Sequence, residues 1–91
     1  EERLALGHVT LEVIPREENA EELLRAVRTA GYGVTVLTGH GLKGPKQVLL
    51  VSTDRKSLPR LAAIIEEFAP DSFMTVLETR AVRGGVTPFL K

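Results

Sequence analysis

The feature that most constrains the fold is a glycine-rich stretch, Gly31–Gln47, which holds five of the chain's eight glycines. Glycine reaches positive φ without steric cost, so such a cluster indicates a backbone that turns sharply or approaches another group closely. Strand-like runs flank its centre at Val34–Thr38 and Gln47–Thr53. The loop between them, Gly39–Lys46, is too short for a crossover helix, so the two runs are predicted to pair antiparallel as a hairpin.

Two further segments have the period-two alternation of half-buried strands. His8–Ile14 places apolar and polar residues on opposite faces, and Pro15 ends it because proline cannot donate to a strand ladder. Ser72–Thr79 alternates in the same way near the other end of the chain. The apolar face of the first strand consists of Val9, Leu11 and Val13.

The first of two predicted helices lies between Pro15 and the glycine-rich stretch. Asn19 fits a helix N-cap, with Glu22 completing a capping-box-like pair, and Gly31 fits the C-terminal stop. A helical stripe of apolar residues connects these ends: Ala20, Leu23, Leu24, Val27 and Ala30.

The second predicted helix follows Thr53. Ser57 is the expected cap because it places Pro59 in the first turn, where the missing N–H has no cost, although Asp54 is an alternative cap. Pro70 ends the helix. Its apolar stripe is Leu58, Leu61, Ala62, Ile65 and Phe68.

The element order is therefore strand, helix, strand, strand, helix, strand. This order predicts an α+β, ferredoxin-like βαββαβ sandwich, with two helices on one face of a four-stranded antiparallel sheet. Val48–Val51 is apolar on both sides, and Leu37 and Ile14 add to the face that the helices miss. Because large exposed apolar patches usually mark interfaces, we expect an oligomer that packs through this open face. The expected organisation is a lead-in over 1–7, the domain over 8–80 and a tail over 81–91.

Composition excludes several functional classes. The 91 residues include 12 basic and 12 acidic ones, so no basic surface predicts nucleic-acid binding. Cysteine is absent and histidine occurs only at His8 and His40, without an acidic pair at ligand spacing, so neither a metal nor another cofactor is expected. No serine has an evident base, and Glu21–Glu22 and Glu66–Glu67 are predicted to be solvated, so we expect no catalytic residue and no enzyme.

The strongest candidate for a binding site is the glycine-rich stretch itself. Glycine N–H groups in the loop could surround an anion while lysine side chains supply positive charge. The alternative is that the glycines only satisfy turn geometry. Arg55, Lys56 and Arg60 form a second basic cluster that could contact a phosphate or a neighbouring subunit. The candidate ligand-binding residues are Gly31, Gly33, Thr35, Gly39, His40, Gly41, Lys43, Gly44, Lys46 and Arg55.

Several motifs in order resemble a known family. The segments GYGVTVLTGHGLKG (31–44) and VLLVSTDRKSLPRLAAIIEEFAPDSFMTV (48–76) resemble the small C-terminal domain of YitT-type bacterial membrane proteins. EERLALG (1–7) and RAVRGGVTP (80–88) resemble a sister family of uncharacterised proteins, in which a short helical membrane portion precedes this domain. Val86 departs from that pattern, because an aromatic residue often follows the two glycines. The chain begins with Glu1, and we expect a membrane portion upstream of it.

The resemblance implies a fold related to the PII-like signalling proteins. Those proteins form trimers and bind nucleotides or cyclic dinucleotides in clefts between subunits, to which the hairpin loop contributes. It also implies a protein of the cell membrane with this domain on the cytoplasmic side. The expected partners are other copies of the chain, with a trimer favoured, and a nucleotide or other small anionic molecule. The competing expectation is an oligomerisation or protein-interaction module without a small-molecule ligand.

Overall fold

The computed structural model of the chain describes residues 7–78. Within them the chain forms four strands and two helices in the predicted order, with one 3-10 turn, Arg55–Ser57, before the second helix. The elements are β1 (His8–Ile14), α1 (Glu17–Thr29), β2 (Gly33–Gly41), β3 (Gly44–Asp54), α2 (Leu58–Phe68) and β4 (Phe73–Glu78).

The strands form a single antiparallel sheet in the order β2-β3-β1-β4. In the register of the sheet, Leu11 of β1 lies opposite Val51 of β3 and Val76 of β4. Both helices pack on the face that carries Leu11 and Val51. The architecture is therefore the predicted α+β, ferredoxin-like sandwich.

The core lies between the helices and that face of the sheet. Val9, Leu11 and Val13 are buried, as the alternation of β1 predicts. Leu49 and Val51 continue the same layer in β3. The helices cover these residues with the buried side chains Ala20, Leu23, Val27, Leu61, Ile65 and Ala69. Burial of apolar surface at roughly 25 cal/mol per Å² is the main force that holds this layer together.

The start of α1 differs from the prediction. The helix begins at Glu17 with Arg16 at the N-cap position, and Asn19 lies inside the first turn. The Asn19 backbone N–H donates to the Arg16 carbonyl at 2.9 Å, so Asn19 is not the cap. No side chain caps this end, and the acidic residues Glu17 and Glu18 instead face the positive end of the helix dipole.

The end of α1 confirms the predicted stop at Gly31. Its N–H donates to the Arg28 carbonyl at 3.0 Å, and the Tyr32 N–H donates to the Val27 carbonyl at 3.2 Å. These two bonds form a Schellman motif, which requires a left-handed residue directly after the C-cap. Gly31 meets that requirement with a φ of 100°.

Substitution of Gly31 tests this structural role. Gly31→Ala is expected to lower the free energy of unfolding by about 1–2 kcal/mol, because a Cβ makes this φ unfavourable. Gly33→Ala is the control, since Gly33 has no positive φ and has no atom within 4 Å of an added Cβ. Urea denaturation of both variants checks the prediction. Equal effects of the two substitutions would contradict a conformational requirement at Gly31.

Of the two candidate caps near the start of α2, only Asp54 makes a capping hydrogen bond with its side chain. Ser57 occupies the N-cap position, and Pro59 lies in the first turn as expected. The capping hydrogen bond, however, belongs to the preceding 3-10 turn, where the Ser57 N–H donates to the Asp54 carboxylate at 3.1 Å.

The loop of the hairpin is shorter than predicted. The strands do not stop at Thr38 and start again at Gln47, because β2 continues to Gly41 and β3 begins at Gly44. Only Leu42 and Lys43 remain as the turn, and Gly44 follows with a φ of 118°. A short turn closed by a left-handed glycine matches the right-handed twist of paired strands, so the ladder extends further than the glycine content suggests.

The predicted lead-in 1–7, except for Gly7, and the predicted tail 81–91 lie outside the described residues. Within residues 7–78, no helix combines the length and the hydrophobicity that crossing a membrane requires.

Candidate functional site

The β2–β3 hairpin extends beyond the rest of the sheet as an arm, defined here as residues 37–48. The ladder between β1 and β3 ends at Val13 opposite Leu49, whereas β3 continues against β2 as far as Gly44. Side chains from one strand lie over glycines of the other. If Gly39 carried a Cβ, that atom would lie 3.4 Å from the Val48 Cγ2 atom. The arm is therefore a two-stranded ribbon with regular pairing.

A groove lies between this arm and the first two turns of α1. Its volume is about 710 Å³, within the range of small-molecule sites. The helix contributes Glu17, Glu21 and Leu24, whose i, i+4, i+7 spacing puts them on one side of α1. The remaining lining residues are Pro15, Thr38, Lys43, Pro45, Lys46 and Gln47.

The groove has walls of opposite charge. Glu17 and Glu21 are acidic residues on the helix side, and Lys43 is the basic residue on the arm side. The Lys46 side chain lies over Gly41 on the other face of the arm, away from α1. Among residues 7–78, the ion pairs within 4 Å link Arg16 to Glu18 and Asp71, and Arg55 to Glu78. None of these pairs joins the two walls, so in this part of the chain the opposite charges stay separated across the groove.

The structure separates the ten predicted ligand-binding residues into two groups. One group lies on the arm and contains Gly39, His40, Gly41, Lys43, Gly44 and Lys46. The other group lies toward the opposite end of the sheet and contains Gly31, Gly33, Thr35 and Arg55. At about 3.3 Å per strand residue, Arg55 is roughly 36 Å along the strand from Gly44 at the hairpin turn. The ten residues therefore do not form one site.

The backbone also contradicts the predicted anion site, in which glycine N–H groups of the loop would surround an anion. Gly39 lies opposite Lys46 and Gly41 opposite Gly44, all of them in extended strands. A nest needs consecutive N–H groups that point to one side, whereas N–H groups along a strand alternate in direction. The Gly39–Lys46 segment is thus mostly ladder rather than a loop that surrounds a phosphate.

Two basic residues of the second cluster have structural partners. The Arg55 guanidinium pairs with the Glu78 carboxylate at 3.3 Å. The Arg60 guanidinium lies 5.3 Å from the centre of the Tyr32 ring and donates to the Ala30 carbonyl at 3.2 Å. Arg60 thus joins the start of α2 to the end of α1, where a cation also interacts favourably with the helix dipole.

Sequence reasoning missed the helix side of the groove. Glu17, Glu21 and Leu24 share one side of α1, and this periodicity would be visible if the helix were started at Glu17. Thr38 and Gln47, which lie opposite each other in the ladder, were assigned only as strand residues.

The face of the sheet away from the helices is the second candidate site. Leu37, Phe73 and Leu77 lie on it with exposed fractions of 47%, 67% and 43%. Within the four strands, the acidic and basic residues on this face are Glu12, Lys46 and Asp54, and the Asp54 carboxylate already accepts from Ser57. The open face, as this surface is called below, therefore combines these apolar side chains with hydroxyl residues such as Thr10, Thr35 and Ser52, and it is sparsely charged.

A metal site has no support in the described part of the chain. No group of three or more His, Asp or Glu residues between 7 and 78 is placed to hold an ion.

A ferredoxin-like sheet with an extended β2–β3 hairpin defines a class of small α+β domains, and comparison with known proteins gives the family. The profile of the family described as "Uncharacterized protein conserved in bacteria (DUF2179)" matches residues 32–84. The chain belongs to this family.

Curated relatives support this assignment. A UPF0316 protein of Alkaliphilus oremlandii is 44% identical over 85 residues, which cover 93% of this chain and 49% of that protein. A UPF0316 protein of Symbiobacterium thermophilum is 40% identical over 85 residues, covering 93% of this chain and 47% of that protein. The chain thus spans about half the length of the curated relatives it matches.

Solved structures share the fold. A functionally unknown protein from Pediococcus pentosaceus has a TM-score of 0.77 at 13% identity, covering 89% of this chain and 100% of that one. A DUF2179 protein from Eubacterium ventriosum has a TM-score of 0.63 at 19% identity, covering 76% and 96%. Arabidopsis thaliana PII bound to citrate has a TM-score of 0.67 at 20% identity, covering 80% and 75%. At these identities the likeness is one of fold, which confirms the predicted relation to the PII fold.

Proposed function

We propose that this chain is a non-catalytic regulatory domain that assembles into a homo-oligomer through the open face of its sheet. The observation that carries the proposal is that this face has exposed apolar side chains and few charged residues. Leu37, Phe73 and Leu77 are each more than two-fifths exposed, and burying them against another copy removes apolar surface from water. A trimer is the favoured assembly by analogy with PII-like proteins.

Sedimentation equilibrium of the purified chain over a range of concentrations tests this proposal. A mass that is a multiple of the monomer, and that falls on dilution, is the expected result. A monomer mass at all concentrations would contradict the proposed assembly. The same experiment gives the number of subunits directly, and so decides whether the trimer of the analogy applies.

A ligand-sensing role is the second candidate, and the groove favours it. The groove is large enough for a small metabolite, and Lys43 places positive charge beside it. A nucleotide or other small anion near the hairpin is the ligand class we propose. The PII structure named above is bound to citrate, a small carboxylate anion, which is in line with this class but concerns another protein.

We also propose that the domain is part of a membrane protein related to the YitT type, with the domain on the cytoplasmic side. The support is the resemblance of its segments to that family and the finding that the curated relatives are about twice as long as this chain. In this context the domain would report on a ligand, or hold subunits together, for the membrane portion.

A further inference from the structure

We infer that the groove between α1 and the arm takes a zwitterionic small molecule rather than a simple anion. The inference rests on the ligand site proposed above and specifies its substrate class. The observation behind it is the pair of oppositely charged walls, Glu17 and Glu21 on the helix side and Lys43 on the arm side, with no ion pair between them among residues 7–78.

An anion alone is a poor match for this groove. The two carboxylates of α1 repel it while Lys43 attracts it, and in a partly exposed site one lysine does not outweigh two carboxylates. A molecule with a cationic end and an anionic end gains from both walls. Its orientation is fixed, with the cation toward α1 and the anion toward the arm.

The rest of the lining suits the middle of such a molecule. Thr38 and Gln47 lie opposite each other in the β2–β3 ladder and offer a hydroxyl and an amide for hydrogen bonds. Leu24, Pro15 and Pro45 add apolar surface. The ligand class is therefore a compact zwitterion with an apolar or weakly polar linker, of the kind that amino acids and their derivatives represent.

Three matched probes separate the two charged ends. ε-Aminocaproate carries both charges, caproate only the negative one and n-hexylamine only the positive one, on hydrocarbon chains of similar length. Amide NMR titrations of the 91-residue chain, up to about 20 mM probe, populate complexes with millimolar Kd. We expect ε-aminocaproate to perturb Glu21, Thr38 and Gln47 and to bind up to about fivefold more tightly than either single-charge probe.

Variants that remove charge test each wall against a matched control. Glu17→Gln/Glu21→Gln is expected to reduce ε-aminocaproate binding to the level of caproate, whereas Glu18→Gln/Glu22→Gln, on the same helix but outside the groove lining, leaves it unchanged. Lys43→Gln is expected to reduce it to the level of n-hexylamine. Lys56→Gln, in the 3-10 turn at the far end of β3, leaves it unchanged.

Each outcome separates the inference from the proposed function. If caproate binds as tightly as ε-aminocaproate, and binding is lost only in the lysine variant, the inference of a zwitterionic ligand is wrong. The proposed site for an anionic ligand is then retained. If none of the three probes perturbs the amide signals of the groove residues, both the zwitterionic ligand and the proposed ligand site are wrong. Assembly through the open face is measured independently by sedimentation and is unaffected by either result.

Discussion

Replacing Leu49 by alanine is expected to cost about 2–5 kcal/mol of unfolding free energy, the range for a fully buried leucine that leaves a cavity. Leu49 is 0% exposed and lies in the central strand β3, opposite Val36 on one side and Val13 on the other. Domains of this size have total stabilities of roughly 5–15 kcal/mol, so the loss is a large share. The expected fall in Tm is about 10–30 °C.

Differential scanning calorimetry measures this effect, with Leu42→Ala as the control. Leu42 has the same side chain but is 100% exposed at the turn of the arm, so its truncation is expected to change stability by less than about 0.5 kcal/mol. Similar losses for the two variants would contradict the placement of Leu49 in the core.

Placing a charge on the open face is the second substitution with a large expected effect. Phe73→Asp is expected to weaken self-association by about 100-fold or more, because an unpaired carboxylate buried at an interface costs several kcal/mol. Phe73 is 67% exposed in the single chain, so the folded monomer should tolerate the change. Sedimentation velocity across a dilution series, with circular dichroism to verify folding, gives the measurement.

The matched control for this charge is Leu42→Asp. It also converts an exposed apolar residue to aspartate, but at the turn of the arm rather than on a strand of the open face. It should therefore leave the association constant within a few-fold of the unsubstituted chain. If Phe73→Asp assembles as well as Leu42→Asp does, the open face is not the subunit interface.

The sequence predicts the fold well wherever a periodic pattern decides the structure. The strict alternation of β1 fixes its bounds and its buried face, and Gly31 marks the end of α1 because its left-handed conformation has a strong residue preference. The start of α1 is mispredicted, since a cap such as Asn19 contributes only about 1 kcal/mol. The short connection after β1 and the acidic first turn place the helix start earlier.

The candidate site is less predictable because it depends on tertiary placement. Glycines in the hairpin indicate a loop, yet Gly39 and Gly41 have no positive φ and continue the ladder. The groove exists because the extended arm lies beside α1, and no local pattern in either segment specifies that arrangement. Glu21, predicted to be solvated helix charge, thereby becomes part of a groove wall.

The places of His8 and Glu78 in the sheet have a mechanical consequence. His8 begins the central strand β1, and Glu78 ends the edge strand β4. Because the two strands are antiparallel neighbours, both residues lie at the same end of the sheet. A pulling force applied through these two points would open the β1–β4 ladder one pair at a time, instead of shearing all its hydrogen bonds at once. β4 is thus the strand that tension would detach first, while the arm, at the far end of β3, would carry no load.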